Sequence, residues 1–114
     1  MKEQATAILL RIFIGESDIY KGQSLSEYLV HYLKKKHFAG VTVLRGIEGF
    51  GHSTKIHTAN ILELSTDLPI VLEVVDTQEK IEELKHMLDE LDIQGKVGLL
   101  ITEETVKIIK YGKA

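Results

Sequence analysis

The chain has 114 residues, with 14 lysines and arginines against 17 aspartates and glutamates, a net charge of −3, 44% apolar residues and no cysteine. This length supports one domain, 1–114, with a real core. The mildly acidic balance argues against a nucleic-acid partner, and without cysteine there is no disulfide, thiolate metal site or cysteine nucleophile. No apolar window reaches membrane-spanning length, and the polar start at Met1–Gln4 lacks a signal-peptide layout, so the expected location is cytoplasmic.

Ala7 to Ile14 reads as the first strand, stopped by Gly15. A polar connector with Asp18 and Gly22 leads to Ser24-Leu25-Ser26-Glu27, the pattern of a capping box. Leu25, Leu29, Tyr32 and Leu33 then recur at helical spacing, which predicts a helix to about Lys36 that ends before Gly40. The cations Lys34, Lys35 and Lys36 close it, where they complement the helix dipole. Val41 to Leu44, or as far as Ile47, is the second strand. Regular structure is expected to break over 46–58, with 59–64 a short extra strand or helix. Ile70 to Val75 is the third strand, and Asp76 is expected to cap a second helix whose apolar stripe is Ile81, Leu84, Leu88 and Leu91. Gly95 turns into a fourth strand, 96–101, and 106–110 reads as a short separate C-terminal strand.

The order β-α-β-β-α-β fits an α+β, ferredoxin-like sandwich: a four-stranded antiparallel sheet with both helices on one face. The strands, however, are apolar on both faces. Ile8, Leu10, Ile12 and Ile14 alternate with Leu9 and Phe13, and Ile70, Leu72 and Val74 alternate with Val71 and Val75. A half-solvated sheet should alternate apolar with polar. Burying five or six extra side chains, at roughly 1.5–3 kcal/mol each, is a strong drive to associate, so the helix-free face is expected to be an oligomer interface. Arg11 and Glu73 interrupt it, either as a pair within the interface or as a ligand contact.

The most distinctive segment is Arg45-Gly46-Ile47-Glu48-Gly49-Phe50-Gly51-His52-Ser53-Thr54-Lys55, with three glycines in six residues after a strand. Two readings stand: a loose hairpin tip, or a strand end that turns backbone N–H groups and then basic or hydroxyl side chains toward a phosphate. It is not a dinucleotide fingerprint, since G-x-x-G-x-G reverses the order and no helix follows.

Together with the β-α-β-β-α-β order, the Gly49-Phe50-Gly51 turn, the long polar loop before the third strand, the Gly95-Lys96-Val97 turn and the basic C-terminal strand resemble the PII signal-transduction proteins. More closely, Leu10-Arg11-Ile12-Phe13-Ile14-Gly15-Glu16 and Arg45-Gly46-Ile47-Glu48-Gly49-Phe50-Gly51 resemble the PII-like group called UPF0166, or domain of unknown function 190. The resemblance covers nearly the entire chain. It implies a homotrimer with an adenine nucleotide in the clefts between subunits, bound by the glycine turn and clamped by basic residues. On this chain those positions are Arg45, Gly46, Gly49, Phe50, Gly51, His52, Lys96 and Lys110. It also implies a flexible loop, about 46–68, whose Ser53, Thr54, Lys55 and His57 contact a protein partner, in PII systems often a membrane transporter or channel. The turn before the fourth strand is shorter than in PII proteins, and Ile108 stands where one of two C-terminal arginines is found, so AMP or ADP is as plausible a ligand as ATP. No cofactor is required by this reading.

Glu16 and Asp18, just after the first strand, are either turn chemistry or a polar lip where an acid bonds a ribose hydroxyl. An alternative reading takes His52, His57 and Glu48 as a metal site of the kind in the structurally similar CutA-type trimers. The pattern favours surface histidines, and no metal site is assigned. Ser53 and Thr54 near His52 lack an orienting acid and oxyanion donors, so no catalytic residue is assigned and the chain is not read as an enzyme.

Overall fold

The computed structural model describes residues 2–51, 54–58, 67–93 and 98–112. Its elements are β1 (Lys2–Gly15), β2 (Ile19–Tyr20), β3 (Gln23–Ser24), α1 (Leu25–Lys35), β4 (Thr42–Arg45), β5 (Glu48–Gly51), β6 (Thr54–Thr58), β7 (Pro69–Asp76), α2 (Gln78–Ile93) and β8 (Leu100–Tyr111). The main sheet has the order β4-β7-β1-β8, with every neighbouring pair antiparallel. This is the ferredoxin-like arrangement that the element order predicts.

Strand alternation divides the side chains between two faces. Leu10, Ile12, Ile14, Ile70, Leu72 and Val74 point to one face and are buried. Against them pack Leu25, Leu29 and Leu33 of α1 and Ile81, Leu84, Leu88 and Leu91 of α2, the two stripes spaced at helical periodicity. Among the described residues no polar or charged one is buried, so the core is purely apolar.

The helix-free face is built in rows across the strands. Leu44, Val71, Phe13 and Leu100 are in register as one apolar row over all four strands. Leu44 and Leu100 remain about half exposed, at 48% and 54%. The next row is polar: Thr42, Glu73, Arg11 and Thr102. Here Arg11 Nε meets Glu73 at 2.9 Å, and its Nη1 meets Glu104 at 3.0 Å. The sequence left Arg11 and Glu73 open between a pair and a ligand contact; in the structure they are a pair. Hydrogen bonds to Glu73 and then Glu104 raise the Arg11 pKa, so its charge is secure.

Local chemistry explains the ends of the helices. Ser24 Oγ accepts from Glu27 N–H at 3.2 Å, the first half of the expected capping box. At the other end, His37 adopts φ 63°, with His37 N–H donating to Lys34 O and Phe38 N–H to Leu33 O. This is a Schellman motif, and it stops α1 at Lys35, five residues before Gly40. A histidine in this left-handed position is strained relative to glycine. His37→Gly is therefore expected to stabilise the fold by about 0.5–1 kcal/mol, read as a higher urea midpoint at unchanged slope.

Four expectations need correcting. Thr77, not Asp76, caps α2: its Oγ1 accepts from Lys80 N–H at 3.2 Å. The Asp76 carboxylate instead takes the N–H groups of Ala39 and Thr77, both at 2.8 Å, and so ties the α1–β4 connection to the start of α2. The two C-terminal strands are one, β8, because no glycine or proline interrupts 100–111 and β1 offers a continuous partner from Phe13 down to Lys2. The connector after β1 holds a small hairpin, whose Lys21 and Gly22 have φ 51° and 78°, the type I′ geometry that matches strand twist. Finally, the stretch expected to be irregular pairs as β5 with β6, with a bulge between Gly49 and Gly51. The extra element expected at 59–64 lies outside the described residues.

Candidate site at the strand ends

Gly15 at the end of β1 pairs with Pro69 at the start of β7, and Arg45 at the end of β4 pairs with Ile70. Phe13 pairs with Leu100 at the start of β8. One edge of the sheet therefore gathers the segments after β1, after β4, before β7 and before β8. The glycine motif, Glu16 and Asp18 all stand at this edge.

Proline 69, the only proline in the chain, is its anchor. A Cβ built on Gly46 would lie 2.7 Å from Pro69 Cγ, and one on Gly49 would lie 3.1 Å from the same atom. Gly46 N–H donates to Pro69 O at 2.7 Å. These glycines are thus explained by close packing of the hairpin base on the proline ring, and the Gly46 amide already has its acceptor. The far side of the same segment is tied to β1: Glu16 N–H donates to Leu68 O at 2.8 Å and Ser17 N–H to Asp67 Oδ1 at 2.9 Å. Asp18 turns inward, accepting from Gly15 N–H at 2.8 Å, which is the turn chemistry that the sequence left open for it. Sequence marks Pro69 as the residue that opens the third strand, but not as the anchor of this site, and Leu68 and Asp67 carry no such signal.

What remains presented outward is a short set of side chains on one segment. Arg45 is 59% exposed and its Nε meets Glu16 Oε2 at 3.1 Å. Ile47 and Phe50 are 79% and 70% exposed, unusual values for large apolar side chains. A guanidinium can clasp a phosphate or carboxylate, and an exposed phenyl ring can take a flat base on its face.

The remaining expected residues are placed as follows. Gly51 pairs with Thr54 across the hairpin, and Lys55 and His57 are in β6, with His57 opposite Gly49. His52, Ser53 and Lys96 lie outside the described residues. Lys110 is not brought to the glycine segment of its own chain: it pairs with Glu3, twelve residues from Gly15 along β1, a separation of about 40 Å. There it lines an open hollow of about 390 Å³ with Glu3, Gln4, Ala5 and Ile108. Glu48 of the alternative metal set pairs with Thr58. Among the described residues no group of three or more histidines and carboxylates is placed to hold a metal ion, and no helix is long and apolar enough to cross a membrane.

The family DUF190, described as "Uncharacterized ACR, COG1993", matches residues 7–108. The chain belongs to this family. Two DUF190 relatives, both called UPF0166 protein, are similar over most of their length. One from Aquifex aeolicus is 39% identical over 101 residues, 89% of this chain and 91% of its own. One from Methanocaldococcus jannaschii is 31% identical over 97 residues, 85% and 88% of the two chains. Among solved structures, the DUF190 chain is similar to CPII, a nitrogen regulatory PII-like protein from Thiomonas intermedia K12. The structure of CPII bound to ADP and bicarbonate superposes with a TM-score of 0.67 at 12% identity, covering 93% of this chain and 91% of that one. The structure bound to ADP, AMP and bicarbonate gives 0.68 at 11% identity, with the same coverage. At this identity the likeness establishes a shared PII-like fold.

Proposed function

We propose that this protein is a PII-like regulatory binding protein, not an enzyme, that takes an adenine nucleotide at the strand-end site and signals through the 46–68 segment. The observation that carries the reading is the company kept by Arg45. Within six residues the chain presents an exposed guanidinium and two exposed apolar side chains, Ile47 and Phe50, on a hairpin seated on Pro69. That set offers charge for a phosphate and a flat apolar surface for a base. CPII, which shares this fold, is seen in structures bound to ADP.

In this reading the single domain assembles as a homotrimer through its helix-free face, and the nucleotide lies in clefts between protomers. Lys110 stands about 40 Å from the glycine segment of its own chain, so in this reading it reaches a phosphate there only from a neighbouring copy. His52 and Lys96 are the further charged residues of this reading. Ser53, Thr54, Lys55 and His57 belong to the surface read by a protein partner, with a membrane transporter or channel the expected class. Differential phosphate contact in two loop states supplies the switch, since equal affinity for both would shift nothing.

The test is calorimetric titration of the purified protein with AMP, ADP and ATP. Binding is expected, and Arg45→Gln is expected to weaken it about tenfold, the equivalent of one charge-assisted hydrogen bond. Arg45 is a better probe than the glycines, whose substitution would collide with Pro69. No heat and no thermal shift with any of the three nucleotides at millimolar concentration would reject the reading.

A further inference from the structure

Arg45 is already occupied. Its Nε is 3.1 Å from Glu16 Oε2, across 29 residues of sequence, and Glu16 does not reach it by chance of a long side chain on a free loop. The Glu16 backbone is held by its N–H to Leu68 O, and the next amide, Ser17 N–H, by Asp67. Arg45 in turn is anchored by β4, where it pairs with Ile70, and by Gly46 N–H to Pro69 O one residue on. An acid and a base are thus set against each other from two rigid strand ends.

We infer that Glu16 is an internal competitor for the Arg45 guanidinium, occupying it in the empty protein and yielding it to a phosphate when an anionic ligand arrives. This rests on the nucleotide-binding reading and adds to it the element that sets affinity and couples the site to the loop. The pair is suited to exchange because it is exposed. Such surface pairs are weak, whereas a phosphate offers a bidentate partner of higher charge. A carboxylate left beside the incoming phosphate also repels it, so ligand entry must move Glu16 as well as recruit Arg45. Movement there does not stay local. Glu16 is bonded to the 67–69 stem of the 46–68 segment, and Arg45 leads directly into its other stem through Gly46. The ion pair is a side-chain tie between the two stems beside the backbone bond from Gly46 N–H to Pro69 O, and a ligand that captures Arg45 removes that tie alone. The contact is at once a brake on affinity and a link between occupancy and the stems.

The experiment is a double-mutant cycle on ADP affinity with Glu16→Gln, Arg45→Gln and both together. Both positions are solvent-accessible, Glu16→Gln is isosteric and Arg45→Gln shortens an exposed side chain, so the variants are expected to fold as the parent does. Glu16→Gln is expected to tighten ADP binding about two- to fivefold, the range an exposed pair supplies. In the Arg45→Gln background the same change should bring a clearly smaller gain, because the part that passes through Arg45 is gone and only the repulsion is relieved. Unchanged or weaker binding by Glu16→Gln would overturn the inference, the weaker case making Glu16 a positioning residue or a ligand contact. An equal gain in both backgrounds would overturn it too, since that would be long-range repulsion alone.

A second measurement separates this inference from the nucleotide reading. Arg11 and Arg45 are the only arginines. Phenylglyoxal must approach the guanidinium directly, and a carboxylate bonded to it stands in the way. Without any ligand, Arg45 labelling relative to Arg11, followed by peptide mass, is expected to rise about twofold or more in Glu16→Gln. If the parent binds no nucleotide yet labelling rises, the ligand reading fails and the masking of Arg45 stands. If labelling does not change, the masking itself is refuted.

Discussion

Replacing Gly46 by valine is expected to destabilise the fold by about 2–4 kcal/mol, and so to lower its melting temperature by about 10–20 °C. The first added carbon would lie 2.7 Å from Pro69 Cγ and 3.4 Å from Pro69 O, distances at which something must move. Neither partner moves freely. The proline ring is rigid, its residue is paired with Gly15, and its carbonyl holds the Gly46 amide at 2.7 Å. Overpacking of this kind costs about 1–3 kcal/mol, and displacing the hairpin base adds the loss of that hydrogen bond. A thermal melt followed by circular dichroism measures it. Pro69→Ala, which removes Cγ and the ring, should recover part of the loss in the double variant, and this non-additivity marks the contact as the cause. A Gly46→Val protein that melts within a degree or two of the parent would mean the glycine is there for a reason other than Pro69.

Phe13→Asp is expected to dissociate the proposed homotrimer. Phe13 sits mid-row between Val71 and Leu100, with Leu44 beyond, on the face that no helix covers. In a closed oligomer each copy contributes this row to the same contact, so a carboxylate there is repeated in every subunit. Lost apolar burial at about 1.5–3 kcal/mol per protomer, together with an unpaired charge removed from water, raises the dissociation constant by at least about a thousandfold. Arg11 in the adjacent row does not rescue it, because its guanidinium already serves Glu73 and Glu104. Sedimentation velocity at micromolar concentration should show a trimer for the parent and a single copy for the variant. A well-behaved monomer of the parent protein would remove the interface, and the shared clefts with it.

Much of the fold was legible because it follows from short-range patterns. The near-continuous apolar runs at 8–14 and 70–75 give the strands, and the helical stripes at Leu25, Leu29, Leu33 and at Ile81, Leu84, Leu88, Leu91 give the helices and their buried faces. Capping was legible where one residue type decides it, as at Ser24. It was misread at Asp76, since two neighbouring residues were both able to cap and only the Ala39 amide, 37 residues away, drew the carboxylate aside. β8 was split in two because Thr102–Thr105 reads as polar, yet an edge strand tolerates threonine and glutamate wherever a long partner supplies the ladder.

The candidate site divides along the same line. The glycine-rich segment announces itself in sequence, as does the mixed charge of its flanks, whereas the exposure of Phe50 is seen only in the structure. Local sequence cannot say why those glycines are needed: an open anion cradle and a close approach to a ring ask for the same residue. Nor can it pair Arg45 with Glu16, or set Lys110 at the far end of β1.

What the amino-acid order determined by itself is the identity and polarity of each element, because hydrophobic period, caps and turns act over a few residues. Only the tertiary structure decided what those elements meet: Pro69 beneath the glycines, Glu16 across from Arg45, Arg11 between two carboxylates. Such contacts join residues 20 to 93 positions apart. Their geometry is set by strand register and sheet order, which are properties of the packed chain rather than of any local stretch.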